Sequence, residues 1–218
     1  MITMTKILVA DDHPLFRAAL KGALAFLPSA NILEASNMAE VQSSVADNPD
    51  TDLVLLDLNM PGANGFSGLA FMRGQFPEIP VVVVSGSEDG STINKCMDLG
   101  ASGFIPKSAP LDTLSTAIEQ VLNGEEWLPE GVDLNAESFS DEEARLAQAI
   151  SSLTPQQFRV MSMLTQGLLN KQIAYDLDVS EATIKAHVTA ILRKLGVNSR
   201  TQAVIVCQRL DLADFEAP

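Results

Sequence analysis

The sequence is poor in cysteine and has no long apolar run. Only two of its 218 residues are cysteines, Cys96 and Cys207, which lie far apart without metal-ligand spacing. This excludes a disulfide framework and indicates reduced thiols. No apolar stretch approaches the ~20 residues that a membrane-spanning helix needs, and the N-terminus lacks the pattern of a signal peptide. We therefore expect a soluble, cytoplasmic protein without a membrane partner.

Basic residues are also scarce, and they are distributed unevenly along the chain. The chain has 14 Lys and Arg against 28 Asp and Glu. Residues 1–125 hold 6 basic and 15 acidic side chains, residues 126–150 hold 1 and 7, and residues 151–218 hold 7 and 6. Such asymmetry indicates parts with different tasks. We predict a first domain at 1–125, an acidic linker with a short helix at 126–150, and a second domain at 151–218.

The first domain alternates short apolar runs with segments of helical spacing. Runs without polar alternation are typical of strands that are buried on both faces of a parallel sheet. Five strands alternating with five helices predict a doubly wound α/β fold. The expected strands are at 6–10, 31–35, 53–57, 81–85 and 102–106.

The second domain is predicted to be a small all-α unit, because its sequence contains residues that are typical of helix starts and helix ends. Thr154, Pro155 and Gln157 form a capping box with proline at the first helical position. Ser180 begins a later helix, and Gly196 ends it. We predict four short helices, of which the second and third form a helix-turn-helix.

Polar residues follow four of the five predicted strands. Since ligands in open α/β sheets bind beyond the carboxyl ends of the strands, these residues are expected in one crevice. Crowded carboxylates repel one another unless a cation joins them, and oxygen ligands of this kind suit Mg²⁺. Asp57 ends the central strand and is the best candidate for a nucleophile that accepts a phosphoryl group. The residues expected in the crevice are Asp11, Asp12, Asp57, Ser85 and Lys107.

With these residues in place, the chain resembles a known family. The segments VADDHPLFR, LLDLNMPGANG, VVVVSG and GASGFIPKSAP are similar to the receiver domain of bacterial two-component response regulators. The segment LLNKQIAYDLDVSEATIKAHVTAILRKLGVNSRTQAV resembles the LuxR-type helix-turn-helix of the NarL/FixJ subclass. The resemblance covers nearly the whole chain except the linker.

The resemblance implies a role for each pocket residue. Asp57 would accept phosphate from a histidine kinase, and Ser85 and Lys107 would hold the phosphoryl group. Asp12, Asp57 and the main-chain carbonyl of Asn59 would bind Mg²⁺, with Asp11 acting through water. Phe104 would occupy the aromatic switch position, where the family often has tyrosine. Ser108 stands where many receivers have proline.

The helix-turn-helix predicts a face that binds double-stranded promoter DNA. The third helix fits the major groove, and Lys185 is the first choice for a base or phosphate contact. Ala186 is suited to a thymine methyl group, and Thr183 and Thr189 to phosphate or base oxygens. The remaining basic residues of this region are expected at the DNA backbone, where they would set the salt dependence: Lys171, Arg193, Lys194 and Arg200.

The last helix carries an apolar row that has two interpretations. In the family, the corresponding helix pairs two subunits, which would make the active protein a homodimer. Packing within one domain is the competing interpretation. The row comprises Ala203, Val204, Cys207 and Leu210.

Three functions are compatible with these patterns. The first is a phosphorylation-dependent DNA-binding transcriptional regulator. The second is a Mg²⁺-dependent phosphotransferase or phosphatase acting on small molecules, but Asn59 stands where such an enzyme would need a second aspartate, and a glycine-rich nucleotide loop is absent. The third is a DNA-binding protein with a vestigial receiver, which the complete set of pocket residues disfavours.

Overall fold

The computed structural model describes residues 4–63, 65–132 and 139–210. Its first part has five strands and five helices in alternation. The strands are β1 (Lys6–Ala10), β2 (Asn31–Ala35), β3 (Leu53–Asp57), β4 (Val81–Ser85) and β5 (Gly103–Pro106). The helices are α1 (Pro14–Ala23), α2 (Met38–Asp47), α3 (Ser67–Gln75), α4 (Gly90–Asp98) and α5 (Leu111–Leu122), and a short 3₁₀ turn (Leu24–Phe26) follows α1.

The five strands form one parallel sheet in the order β2-β1-β3-β4-β5. The order changes direction between β1 and β3, which places a crevice beyond the carboxyl ends of these two strands. The register brings Ala10 beside Leu56 and Asp57 beside Val84, so that the strand ends lie level. The doubly wound fold predicted from the apolar runs is confirmed.

Both faces of the sheet are covered. Ile7, Val9 and Leu55 point toward α1 and α5, whereas Leu8 and Leu56 belong to the larger core against α2, α3 and α4. Every residue of β3 and β4 is buried, which explains why their sequences show no polar alternation.

The predicted linker contains a contact with the edge of the sheet and a helix. Trp127 pairs with Gly103 as a single parallel bridge at the free edge of β5. The short helix predicted in the linker is α6 (Asp141–Ser151), which begins with a capping box formed by Ser140 and Glu143. Residues 133–138 of the predicted linker lie outside the described residues.

Four helices follow: α7 (Pro155–Thr165), α8 (Asn170–Asp176), α9 (Glu181–Leu195) and α10 (Arg200–Arg209). The backbone N–H of Gln157 donates to the Thr154 side chain, and that of Thr183 donates to Ser180, so the expected caps are confirmed. Gly196 ends α9 in a left-handed conformation (φ 67°), which glycine adopts without a steric penalty from a Cβ atom.

Within the described residues, no helix has both the length and the apolar character that a membrane crossing requires.

Candidate functional site

Three carboxylates meet at the carboxyl ends of β1 and β3. Asp11 and Asp12 follow β1, and Asp57 is the last residue of β3. Together with His13, these residues offer ligand atoms that all lie within 4.8 Å of one another. Asp11 and Asp57 are buried, whereas Asp12 is partly open to solvent. The convergence expected from the parallel strands is therefore present.

Lys107 joins two of these carboxylates from the end of β5. Its Nζ lies 2.8 Å from Asp57 Oδ2 and 2.6 Å from Asp11 Oδ2. Burial opposes the charge of the ammonium group, but its close contacts with the carboxylates of Asp11 and Asp57 keep the pKa of Lys107 above its ordinary value. The ammonium also lies 5.0 Å from the centre of the Phe16 ring, within the range of a cation–π contact. Lys107 therefore remains charged at the centre of the crevice.

The two oxygens of Asp57 have different surroundings. Oδ2 accepts the hydrogen bond from Lys107, whereas among the described residues Oδ1 accepts only a long one, at 3.3 Å, from the backbone N–H of Asn59. Burial raises the pKa of Asp57 even though the hydrogen bond from Lys107 acts in the opposite direction. A cation at Oδ1 would compensate a charge that the protein alone stabilises incompletely.

Ser85 and Phe104 complete the inner wall. The side-chain oxygen of Ser85 accepts the backbone N–H of Ser87 at 3.2 Å, and its carbonyl accepts the backbone N–H of Lys107 at 2.7 Å. Phe104 is fully buried in the core beside α4, and its backbone N–H donates to the carbonyl of Trp127 at 3.0 Å. The predicted switch residue is thus hydrogen-bonded to the linker.

The donor atoms of the crevice fit a hard divalent cation. Asp11 Oδ2 and Asp12 Oδ1 are buried and accept no hydrogen bond of normal geometry from the described residues. Lys107 Nζ lies 2.6 Å from the first of these oxygens, and His13 Nδ1 lies 2.6 Å from the second. Carboxylate oxygens and main-chain carbonyls are the ligands that Mg²⁺ prefers, so the set matches the magnesium site expected from the sequence.

Two further residues lie at the crevice. The Nδ1 atom of His13, whose side chain is exposed, lies 2.6 Å from Asp12 Oδ1, and its backbone N–H donates to Asp11 Oδ1 at 2.7 Å. Arg17 donates to the Asp11 carbonyl at 2.6 Å. The adjacency of His13 to two aspartates was a usable signal, whereas the contact of Arg17 depends on how α1 packs.

The second candidate surface is the outer face of α9. Ile173 and Ala174 of α8 and Ile184 of α9 are buried, which holds the two helices together as a helix-turn-helix. On the opposite face of α9 all the predicted base-contacting residues are exposed. They are Thr183, Lys185, Ala186 and Thr189.

The exposed face of α9 has few charges with fixed partners. Lys185 forms an ion pair with Glu181 at 3.0 Å, an exposed contact that a phosphate could replace. The hydroxyl of Thr189 donates to the Lys185 carbonyl. Lys171 and Arg193 are exposed on the same domain, so their predicted contacts to a DNA backbone are sterically possible.

Two other predicted backbone contacts make intramolecular hydrogen bonds. Lys194 Nζ donates to the carbonyl of Ser152 at 2.6 Å. Arg200 is half-buried, and its guanidinium donates to the carbonyls of Leu164 and Leu168, at the end of α7. Both residues therefore have a structural task that the sequence did not reveal, and their contact with DNA stays a prediction.

The expected dimer row on α10 needs a correction. Ala203, Cys207 and Leu210 are buried at 0%, 2% and 1% exposure, because α10 packs on α7 and α9. Their apolar surface belongs to the core of their own domain, as the competing interpretation proposed. Val204 is half-buried and the neighbouring Ile205 is 42% exposed, so the outward apolar surface of α10 is shifted by one residue.

Known proteins match both parts of the chain. Residues 7–119 match the response regulator receiver domain, and residues 151–207 match the bacterial regulatory proteins of the luxR family. The glycerol metabolism activator of Pseudomonas putida is 42% identical over 218 residues, covering 97% of this chain and 99% of that protein. The nitrate/nitrite response regulator protein NarL of Escherichia coli K12 is 33% identical over 200 residues, covering 91% and 93%.

A solved structure gives the same fold. RcsB from Salmonella enterica serovar Typhimurium, bound to a promoter in the presence of a phosphomimetic, has a TM-score of 0.53 at 22% identity, covering 93% of this chain and 97% of that chain. The chain therefore belongs to the two-component response regulators of the NarL/FixJ type, with a receiver domain followed by a LuxR-type DNA-binding domain.

Proposed function

We propose that this protein is a transcriptional regulator whose DNA binding is controlled by a phosphoryl group on Asp57. The donor would be a sensor histidine kinase, and the target would be promoter DNA. The proposal divides the chain as the sequence suggested, with the receiver at 1–125, the linker at 126–150 and the DNA-binding domain at 151–218.

The observation that carries the proposal is the unequal environment of the Asp57 oxygens. Lys107 binds Oδ2 at 2.8 Å, whereas within the described part of the chain the one hydrogen bond to Oδ1 comes from the Asn59 N–H at 3.3 Å. Oδ1 is therefore the nucleophile. When it attacks the phosphorus of a phosphohistidine, an O–P bond forms and the P–N bond breaks. The electron pair passes to the imidazole nitrogen, which takes a proton from solvent.

The remaining pocket residues stabilise the transferred group. The phosphoryl oxygens carry negative charge during transfer, and Lys107 supplies a positive charge that needs no reorganisation because the carboxylates already fix it. Ser85, at the end of β4, would donate its hydroxyl hydrogen to one of these oxygens.

Magnesium is the cofactor that the donor set fits. Asp12, Asp57 and the Asn59 carbonyl would hold it, with Asp11 acting through water. The ion would neutralise charge on the phosphoryl oxygens during transfer. The same residues would govern loss of the phosphoryl group by hydrolysis, a self-catalysed reaction within a regulator.

The effect of phosphorylation would reach the DNA-binding domain through altered domain contacts and dimerisation. A phosphoryl group brings about −1.5 to −2 charges, judged from phosphorylated hydroxyl side chains, into a pocket that already holds three carboxylates. The loops around it must rearrange to accommodate this charge. Two copies of the DNA-binding domain would then bind adjacent half-sites.

A direct test uses a small phosphoryl donor with Mg²⁺. Intact mass spectrometry should show one added phosphoryl group per wild-type chain and none on Asp57→Asn. DNA binding is measured on a duplex that wild-type protein enriches from a random-sequence pool. Phosphorylation should raise the affinity of the wild type, and Asp57→Asn should not respond.

Two results would contradict the proposal. Steady consumption of the donor without a stoichiometric phosphoprotein would indicate an enzyme. DNA binding that ignores both the donor and the mutation would indicate a receiver without a regulatory role. Removal of Mg²⁺ by a chelator serves as the control, because it should prevent phosphorylation while the fold is retained.

A further inference from the structure

The linker helix α6 lies along α3 of the receiver, with its ends matched to the ends of α3. Phe139, which precedes α6, stacks edge-on against Phe66 at the start of α3, with ring centres 6.0 Å apart. At the other end the backbone of Ser151 packs directly on Gly74. The two helices therefore run side by side in the same direction, and α6 is part of the receiver surface rather than a free connection.

Phe139 is held at the receiver by two helices. Its ring packs on Phe66 of the β3–α3 connection, and the ammonium of Lys95 on α4 lies 5.7 Å from the ring centre. Its backbone N–H donates to Asp98 Oδ2 at 3.3 Å. The start of α6 is thus fixed by the elements that follow β3 and β4, the two strands that end in Asp57 and Ser85.

Four of the described residues between Asp57 and α3 are buried. They are Leu58, Met60, Ala63 and Phe66, and Met60 and Ala63 pair through backbone hydrogen bonds of 3.0 and 3.2 Å. Packed interiors transmit displacement because they have little free volume. We therefore expect a displacement of Asp57 to reach Phe66 and, through the ring contact, Phe139.

The other side of α6 contacts the DNA-binding domain. α6 packs on α9, and the Lys194 ammonium of α9 donates to the carbonyl of Ser152, the residue that ends α6. The amide of Gln75 donates to the Leu153 carbonyl at 2.8 Å, and Phe71 stacks edge-on against Phe158 of α7 at 5.2 Å. α6 is therefore packed between α3, which follows the phosphoacceptor loop, and the DNA-binding helix.

The docked arrangement leaves the DNA face uncovered. Thr183, Lys185, Ala186, Thr189 and Arg193 are exposed while the receiver, α6 and α7 are packed together. In this conformation the receiver does not cover the DNA-contacting side of α9, so it would not restrain DNA binding by blocking that side.

We propose that α6 transmits the phosphorylation state of Asp57 from α3 to α9, and that it does so with the DNA face of α9 open in both states. This inference rests on the proposed function. Phosphorylation would change where α6 holds the DNA-binding domain, and so how two copies are placed for adjacent half-sites. The affinity of the unphosphorylated protein would not depend on release of a covered surface.

The substitution Gly74→Ala tests the α3–α6 contact, with Gly22→Ala as its matched control. A Cβ atom at Gly74 would overlap the Ser151 carbonyl oxygen and lie 3.1 Å from the Ser151 Cα, so α6 must move. A Cβ atom at Gly22 in α1 meets nothing within 4 Å. Replacing glycine by alanine raises the helix propensity by a similar amount at both positions, about 1 kcal/mol at most. A difference in behaviour between the two variants therefore reports on the contact between Gly74 and Ser151.

The measured quantity is the ratio of DNA affinities of the full-length protein with and without the phosphoryl donor. Coupling between two sites typically changes affinity by about 5- to 150-fold. We expect Gly22→Ala to keep the wild-type affinity ratio and Gly74→Ala to reduce this ratio nearly to one. Asp57 should be phosphorylated to the same extent in Gly74→Ala as in the wild type. The affinity of unphosphorylated Gly74→Ala should stay within about twofold of wild type, well below the typical allosteric effect.

Two outcomes would overturn the inference. The first is an unchanged affinity ratio in Gly74→Ala. The second is a rise of about tenfold or more in its affinity before phosphorylation, since this would mean that docking covers the DNA face. If wild-type protein is not phosphorylated or does not respond, the proposed function fails instead.

Gln75→Ala provides a second variant for the case in which Gly74→Ala does not fold. It removes only the hydrogen bond to Leu153 and introduces no overlap. Its affinity ratio should lie between those of wild type and Gly74→Ala, and backbone hydrogen exchange in α6 should be faster than in wild type. A wild-type ratio together with faster exchange would contradict the transmission role.

Discussion

At the scale of single residues, the chemistry of the receiver depends on one lysine shared by two buried carboxylates. Lys107 contacts Asp11 and Asp57, so three carboxylates in the crevice are opposed by one fixed ammonium group. Burial raises the pKa of Asp57, which means that ionising this residue in the folded protein costs stability. The ionised Asp57 therefore lowers the stability of the folded protein, and a bound cation would offset this cost.

Asp57→Asn should unfold at a higher temperature than wild type when Mg²⁺ is absent. A raised folded pKa gives a penalty that is absent below the ordinary aspartate pKa of about 3.9 and complete above the folded pKa. The advantage of the variant should thus appear as pH rises and be retained at neutral pH. Thermal unfolding across this pH range measures it, and a less stable variant at neutral pH would contradict the argument.

Magnesium should stabilise wild type and have little effect on Asp57→Asn. A ligand at about 100 times its Kd stabilises the folded state by about 2.7 kcal/mol. Unfolding temperatures measured against Mg²⁺ concentration give this gain directly. Asp47→Asn, which changes an exposed carboxylate on α2, should keep the full Mg²⁺ response. A similar loss of response in both variants would show that the effect is not specific to the crevice.

Both cysteines should be unreactive in the native protein. Burial raises the pKa of Cys207 to about 12 and raises the pKa of Cys96 further, so the nucleophilic thiolate is scarce. A disulfide reagent at about pH 8 should label the thiols slowly and should label two per chain after denaturation. Rapid native labelling of one thiol per chain would place that cysteine on a surface.

At the scale of secondary-structure elements, α9 combines a buried side with an exposed side that has few charges. Ile184 and Ile191 fix the helix to α7 and α8, while the opposite residues stay free for solvent or DNA. Since Lys194 and Arg200 donate to backbone carbonyls, fewer cations are available for phosphates than the sequence suggested. Specific binding should therefore depend strongly on Lys185.

Lys185→Ala should weaken binding to the selected duplex by about 1–3 kcal/mol, the range for a good side-chain contact to a base. Phosphorylation by the small donor should be unchanged, because Lys185 is far in sequence from every pocket residue. Lys21→Ala is the matched control, since it removes a partly exposed lysine that pairs with Glu34 on the receiver. Equal losses in the two variants would reflect net charge and not recognition.

At the scale of the whole molecule, the receiver and the DNA-binding domain share apolar contacts. One cluster of buried residues extends from Leu8 and Leu56 through Phe71 and Phe158 to Leu210. A second cluster, between the sheet and the pair α1 and α5, belongs to the receiver alone. α6 contributes Ala147 and Ile150 to the shared cluster.

Wild-type protein should therefore unfold in a single calorimetric transition, and Gly74→Ala should unfold in two. Continuous packing makes the two domains cooperative, and displacing α6 removes the contact that couples them. The ratio of calorimetric to van't Hoff enthalpy should be near one for wild type and for Gly22→Ala, and about two for Gly74→Ala. Two well-separated transitions in wild type would show that the domain contact contributes little.

The sequence predicted the strands closely because their pattern is local. Residues buried on both faces give the continuous apolar runs of β3 and β4. β1 and the edge strand β2, in which only Ala35 is buried, also have the expected bounds, while β5 begins at Gly103, one residue late. The helix caps could be predicted equally well, since a cap involves residues only three positions apart in the sequence. The crevice was predictable for another reason: parallel strands end at one edge, and their terminal residues must converge.

The sequence could not show which helix faces become buried. The apolar row of α10 was compatible with a dimer or with a core, and only its packing on α7 and α9 distinguishes them. Arg200 looked like a DNA contact because a charge pattern does not reveal a partner 32 and 36 positions away, in Leu168 and Leu164. The pairing of Trp127 with β5 likewise has no periodic signature.

The sequence by itself determined the two folds and the set of groups in the phosphoacceptor crevice, because strand runs, caps and strand-end residues are encoded within a few positions. Only the tertiary structure decided that the linker helix is packed between the receiver and α9 and that the DNA face is open. These properties arise from contacts between distant segments, such as Gly74 with Ser151 and Phe71 with Phe158, whose formation depends on complementary surfaces.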